Sequence, residues 1–275
     1  VITGNTSGTI GRQMVVADLN ADGTMDLAAT QDYSGKFSIF YNDGTLPITD
    51  SAADFTDTSV NVPTAMATGD FNSDGRTDLA VSDTWTPGGT NAGSVDIFYN
   101  DGTYSTADVT ITGDAAGNVF GTSLVSGDFN ADGRTDLVVG AQGYTTSTGR
   151  AYVFYNDGSI PTTAATADAI ITGEGVSNNL GYALASGDLN LDGRTDLIIG
   201  ARQYNTDNKG RVYVFYSGSI TTENASGADS IMTGITNNEF FGHAFAAGDF
   251  NTDGKPDLAV GAYFYSSRSG RVHIF

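Results

Sequence analysis

The pattern Asp-x-Asn-x-Asp-Gly-x-x-Asp occurs five times in this chain, and no other feature narrows the choice of fold as much. The copies begin at Asp18, Asp70, Asp128, Asp188 and Asp249, which sets intervals of 52, 58, 60 and 61 residues. Self-similarity at such a period marks an architecture of stacked units, each burying its apolar face against its neighbours.

The pattern has its own chemistry. Side-chain oxygens stand at positions 1, 3, 5 and 9: Asp18, Asn20, Asp22 and Asp26; Asp70, Asn72, Asp74 and Asp78; Asp128, Asn130, Asp132 and Asp136; Asp188, Asn190, Asp192 and Asp196; Asp249, Asn251, Asp253 and Asp257. The residue at position 7 adds a backbone carbonyl, from Thr24, Arg76, Arg134, Arg194 or Lys255. Alternating oxygen donors with Gly at position 6, where the backbone turns sharply, are what a hard cation such as calcium requires. Five such loops imply about five ions. The alternative is an Asp-rich hairpin held by Asx turns with no metal.

The loop flanks decide the class. Thr122-Ser123-Leu124-Val125-Ser126-Gly127 precedes the third loop and Leu137-Val138-Val139-Gly140-Ala141 follows it. Both are short apolar runs with β-branched residues and glycine punctuation, so each loop reads as the turn between two strands. Further strand signals lie at 108–112 and 150–155. About four strands per unit at this period is the signature of a propeller blade. The third strand of each unit ends in Phe-Tyr, at 40–41, 98–99, 154–155 and 215–216, and three of these continue Asn-Asp-Gly. That triplet leaves a strand in a tight turn, and the aromatic pair puts one ring on each sheet face, between blades. With 36 glycines, 5 prolines and no long stretch of helical period, the chain is expected to be all-β.

Phe120-Gly121, Phe241-Gly242, Gly140-Ala141, Gly200-Ala201 and Gly261-Ala262 bracket the ion loops. In this the chain resembles FG-GAP repeat proteins, the β-propeller of integrin α-subunits and related bacterial and fungal proteins. Ile10-Gly11, Pro63-Thr64, Ala28-Ala29 and Val81-Ser82 depart from the pattern in the first two units. The resemblance implies a β-propeller whose loops bind calcium through positions 1, 3, 5 and 9. The family usually closes seven blades, and five units are present here. The reading is a single domain over 1–275 with five four-stranded blades, closed by Val1-Ile2-Thr3-Gly4 pairing with the last blade. That segment matches the outer strands at 111–113, 171–173 and 232–234. A fragment of a longer array is the competing reading.

Composition then removes whole classes. The formal charge is −20, and the loops hold 15 of the 32 acidic residues, so five divalent ions would bring it to −10. No Lys/Arg cluster is available for phosphates, which argues against nucleic acid. Cysteine is absent, which removes disulfides, thiolate zinc sites and a cysteine nucleophile. The two histidines, His243 and His273, sit in no nucleophile or metal motif, and no acid/base carboxylate pair stands apart from the loops. The expectation is therefore no enzyme. No membrane span is visible, and the chain opens at Val1 in what reads as a strand, as a mature or excised portion would. Loops of this type suit millimolar calcium, hence an extracellular or cell-surface setting.

The loops after the second strand carry an aromatic each among small polar residues: Tyr33, Trp85, Tyr144, Tyr204 and Tyr265. In an up-and-down blade they emerge opposite the calcium turns, where they would stack on a sugar or dock a protein. They would equally serve to cover blade edges. Three functions follow: a non-catalytic adhesion or ligand-binding module, a lectin-like carbohydrate binder, or a scaffold domain of a larger surface protein or enzyme. The sequence gives no sign of oligomeric state.

Overall fold

The computed structural model describes residues 9–32, 35–44, 49–85, 90–102, 104, 106–218 and 220–275. It is all-β, with five sheets in chain order. The first contains Thr9–Ala17, Asp26–Asp32, Lys36–Phe40 and Phe55–Asp57. The second contains Pro63–Gly69, Asp78–Asp83, Ser94–Phe98 and Val109–Thr112. Phe120–Gly127, Asp136–Ala141, Arg150–Phe154 and Ala169–Thr172 make the third, with the two-residue strand Glu223–Asn224 parallel to its outer edge. The fourth consists of Leu180–Gly187, Asp196–Ala201, Arg211–Phe215 and Ser230–Thr233. In the fifth, Phe241–Gly248, Asp257–Ala262 and Arg271–Ile274 are described, three strands rather than the expected four. The proposed closing segment, Val1 to Gly4, lies outside the described residues.

The chain packs as two compact units, one of residues 1–121 and 156–166, the other of residues 122–155 and 167–275. In the first, Leu19, Phe37, Ile39, Leu79, Val81 and Phe98 form the core. The second has two apolar layers. Leu197 and Ile199 join Val138, Val153 and Phe215 in one, while Ile198 joins Val212, Phe241 and Val260 in the other. Successive residues of one strand thus serve opposite faces, which is why these strands read as unbroken apolar runs. Each such side chain contributes roughly 2 kcal/mol on burial.

The Phe of every Phe-Tyr pair, at 40, 98, 154 and 215, is fully or almost fully buried. The innermost strands begin earlier than the flanks implied, at Phe120, Leu180 and Phe241. In the last two a bulge follows, between Leu180 and Ala183 and between Phe241 and Ala244, with Gly181 and Gly242 at φ +77 and +85. Gly181 lies against Gly140, and Gly242 against Gly200, so close that a Cβ on either partner meets backbone. The glycines of Leu180-Gly181 and Phe241-Gly242 therefore lock onto Gly-Ala of the repeat before, while Gly121 of Phe120-Gly121 lies against Ser82. Among the described residues no helix is long and apolar enough to cross a membrane.

Candidate functional site

All five Asp-rich loops are turns between the first two strands of their sheets, and one hydrogen-bond scheme repeats in each. In the second loop Asp74 N–H and Gly75 N–H donate to the two carboxylate oxygens of Asp70, at 3.0 and 2.9 Å. Asp74 N–H also donates to Asn72 Oδ1 at 2.9 Å, and Arg76 N–H to Asp74 Oδ1 at 2.9 Å. Asp18, Asp128, Asp188 and Asp249 accept the same pair of backbone N–H groups in the other loops. Position 4, held by Ala21, Ser73, Ala131, Leu191 and Thr252, has φ of 59 to 62 in every loop. Sequence reasoning missed this second left-handed residue, because nothing but Gly at position 6 signalled positive φ.

Position 9 ties each loop to its sheet. Asp78 is fully buried and accepts Phe71 N–H and Asn100 N–H, both at 2.8 Å. Asp26 holds Leu19 and Asn42, and Asp196 holds Leu189 and Ser217, in the same way. The residue after the Phe-Tyr pair is therefore more than a turn former: its N–H anchors the Asp-rich loop. Neighbouring repeats add pins to the carbonyl of loop position 2, from Tyr104 to Leu19, Asn156 to Phe71 and Ser217 to Phe129.

These loops fit calcium by donor chemistry. Every side-chain donor is a hard oxygen, three of each four are carboxylates, and the backbone amides hold them in place. Burial pushes the Asp78 carboxyl up to about 6; Asn100 and Phe71 N–H groups oppose this, and Asp74 and Asp70 add to it. Burial likewise raises Asp196, near Asp192. Carboxylates crowded at a buried position favour a bound cation. Among the described residues no group of three or more His, Cys, Asp and Glu side chains already stands in a metal-holding cluster. Backbone and Asn amides of the loops engage the carboxylates of positions 1 and 5 instead, as in the bonds from Asp74, Gly75 and Asn72.

At the other strand ends, three of the five aromatics stack under arginine. The guanidinium of Arg150 lies 3.5 Å from the Tyr144 ring centre, that of Arg211 3.6 Å from Tyr204, and that of Arg271 3.6 Å from Tyr265. Arg150 Nε also donates to Thr172 Oγ1 at 3.1 Å and Arg211 Nε to Thr233 Oγ1 at 2.9 Å. These tyrosines thus have one face covered from within the chain, as the edge-covering alternative expects. Trp85 is 45% exposed, and Tyr33 lies outside the described residues. A groove of about 620 Å³ opens beside Tyr204, lined by Glu174, Val176, Asn178, Asn205 and Asn208. Glu174 there accepts Arg211 and Tyr213, both at 2.7 Å.

Comparison with known proteins agrees with this geometry. The FG-GAP repeat family matches residues 120–154, 180–215 and 241–275, and an FG-GAP-like repeat matches 18–81. The split falls where the Phe-Gly and Gly-Ala signatures weaken. The fold resembles the Dos1 propeller, with TM-score 0.54 and 11% identity over 92% of this chain and 52% of that one. It also resembles BBS1N, solved in complex with ARL6DN, with TM-score 0.52 and 13% identity over 96% of this chain and 79% of that one. The chain is a β-propeller of the FG-GAP repeat family.

Within that family it resembles integrin α chains. Integrin alpha-PS2 of Drosophila melanogaster is 30% identical over 226 residues, covering 77% of this chain and 16% of the relative. Phosphatidylinositol-glycan-specific phospholipase D of Homo sapiens is 34% identical over 159 residues, covering 52% of this chain and 18% of the relative. The chain spans less than a fifth of the length of these curated relatives.

Proposed function

We propose that this propeller is a calcium-stabilised, non-catalytic ligand-binding module of adhesion type, working outside the cell or at its surface, with a protein ligand at the strand ends opposite the ion loops. The repetition of one oxygen-donor scheme in all five loops carries the reading. Asp, Asn and Asp at positions 1, 3 and 5, the carbonyl at position 7 and Asp at position 9 would hold each ion. The ion supplies charge compensation that lets the carboxylates sit together and fixes two strands in register. Loops committed to this task at one end leave the other end for recognition. The similarity to integrin α chains supports that use, and the similarity to a phospholipase D is compatible with a propeller attached to an enzyme.

The groove beside Tyr204 favours a second reading, carbohydrate binding, because amide side chains from Asn178, Asn205 and Asn208 converge there. Probing protein and glycan arrays with the whole chain in calcium tests both. Selective protein capture, weakened by Trp85→Ala or Tyr263→Ala, supports the adhesion reading; selective glycan capture, weakened by Asn205→Ala, supports the lectin. Capture of neither class overturns both and leaves a scaffold.

A further inference from the structure

In the second unit a column of rings and one cation crosses from the fourth sheet to the fifth. Arg202, just past Asp196–Ala201, places its guanidinium 3.8 Å from the ring centre of Tyr182. Tyr182 stacks on His243 at 5.0 Å and 27°, and His243 lies 4.3 Å from Tyr263. Tyr182 and His243 occupy the positions after Gly181 and Gly242, inside the bulges that follow Leu180 and Phe241, and these set their direction. Phe240 braces Tyr263 from the side, at 5.4 Å.

The column has buried polar atoms without partners. Arg202 Nε and His243 Nδ1 are buried and have no hydrogen-bond partner. Arg202 also has no carboxylate partner among the described residues, in a chain with 32 acidic residues and 12 basic ones. Three acids of the same unit pair elsewhere: Glu174 with Arg211 at 2.7 Å, Asp207 with Lys209 at 3.9 Å, and fully buried Glu239 with His273 at 2.6 Å. A stacked guanidinium keeps its in-plane N–H groups for a carboxylate, and a buried unpaired donor costs free energy until one arrives. Exposed apolar side chains belong to the same loop cluster: Val176 at 68%, Ile235 at 72% and Tyr263 at 44%. The loops carrying them are tied together by Gln203 N–H to Asn178 O and Asn238 N–H to Asp207 O.

We infer that the Arg202–Tyr182–His243–Tyr263 column is the anchor for an acidic side chain of a partner protein, an Asp or Glu flanked by apolar residues. The inference rests on the reading of these strand ends as the ligand-facing surface and adds the partner's chemistry. Charge complementarity selects the carboxylate, and the apolar neighbours favour a peptide over an acidic polysaccharide.

The test uses the whole chain on an array of short peptides, each with one Asp between Leu, Val, Phe or Tyr residues, beside twins carrying Asn. The expected result is a set of Asp peptides bound at least about ten-fold more tightly than their twins. Arg202→Gln removes that preference, Arg202→Lys keeps part of it, and Tyr263→Ala weakens binding severalfold with the melting temperature unchanged. If Arg202→Gln does not fold, Arg202→Lys and Tyr263→Ala read the same outcome. Equal binding of the twins, wild-type binding by Arg202→Gln, or full competition by a sulfated polysaccharide or single-stranded DNA overturns the inference. A protein ligand captured through Trp85 but indifferent to Arg202 also overturns it, and leaves the adhesion reading standing.

Discussion

Gly140 and Gly181 meet backbone to backbone: a Cβ on Gly140 would overlap the Gly181 carbonyl, and one on Gly181 would sit 3.1 Å from Gly140 Cα. The same close approach joins Gly200 to the carbonyl of Gly242 one repeat on. Gly140→Ala and Gly181→Ala are each expected to cost more than about 2 kcal/mol, since no flexible side chain can yield. Gly117→Ala is the control: its φ is +79, but nothing lies near its added carbon, so about 1 kcal/mol is expected. Urea midpoints of the three variants check the ranking.

Calcium removal should lower stability, and one substitution should cost more with the ion than without it. At a calcium concentration 100 times the dissociation constant, each independent site contributes about 2.7 kcal/mol. Asp78→Asn is expected to lower the melting temperature in calcium. In excess chelator the loss should be smaller: Asn keeps one acceptor for the two N–H groups of Phe71 and Asn100, but it removes a buried carboxylate that Asp70 and Asp74 oppose. Melting curves of both proteins in both buffers decide this, and an identical loss in the two buffers would end the structural-calcium reading.

Position 4 of each loop offers a test of backbone strain. Leu191 has φ +62 and is 54% exposed, so little packing holds it there. Leu191→Asn should raise stability by roughly 0.5–1 kcal/mol, since Asn tolerates this region. Leu191→Pro, whose ring fixes negative φ, should cost more than about 3 kcal/mol. Chemical denaturation at fixed calcium measures both.

Much of this was readable because the repeats carry it locally. Asp128 to Asp136 name their own turn, and Leu137-Val138-Val139 names a strand buried on both faces. What could not be read depends on register between distant segments. Tyr144, Tyr204 and Tyr265 looked open for a ligand, yet each lies beneath the arginine that starts the next strand. Nothing in Arg150 announces Tyr144 until the loop of 142–149 returns the chain beside it. The Asn-Asp-Gly phrase read as a turn, whereas Asn100 N–H also holds Asp78 across 22 residues. Glu223–Asn224 was invisible as a strand because two residues carry no period. The Arg202 column joins two repeats, and only the bulges after Gly181 and Gly242 bring its rings together.

Asp96 gives the clearest pH dependence away from the ion loops. Burial raises its carboxyl above the ordinary 3.8; Thr110, donating at 2.6 Å, opposes this, and Asp83 and Asp57 add to it. The folded chain therefore holds this proton more tightly than the unfolded chain does. Its contribution to stability is present below 3.8 and is lost as pH rises through the folded value. Asp96→Asn removes the ionisation, so the variant should gain on the wild type as pH rises through this window and stay ahead at neutral pH. Thr110→Val leaves the charge but takes away its donor, and should make the wild-type loss steeper. Urea midpoints from about pH 3 to pH 7, read as differences from wild type so that the ion loops cancel, test both signs. A variant difference that stays flat across the window would show that Asp96 titrates alike in the folded and unfolded chain.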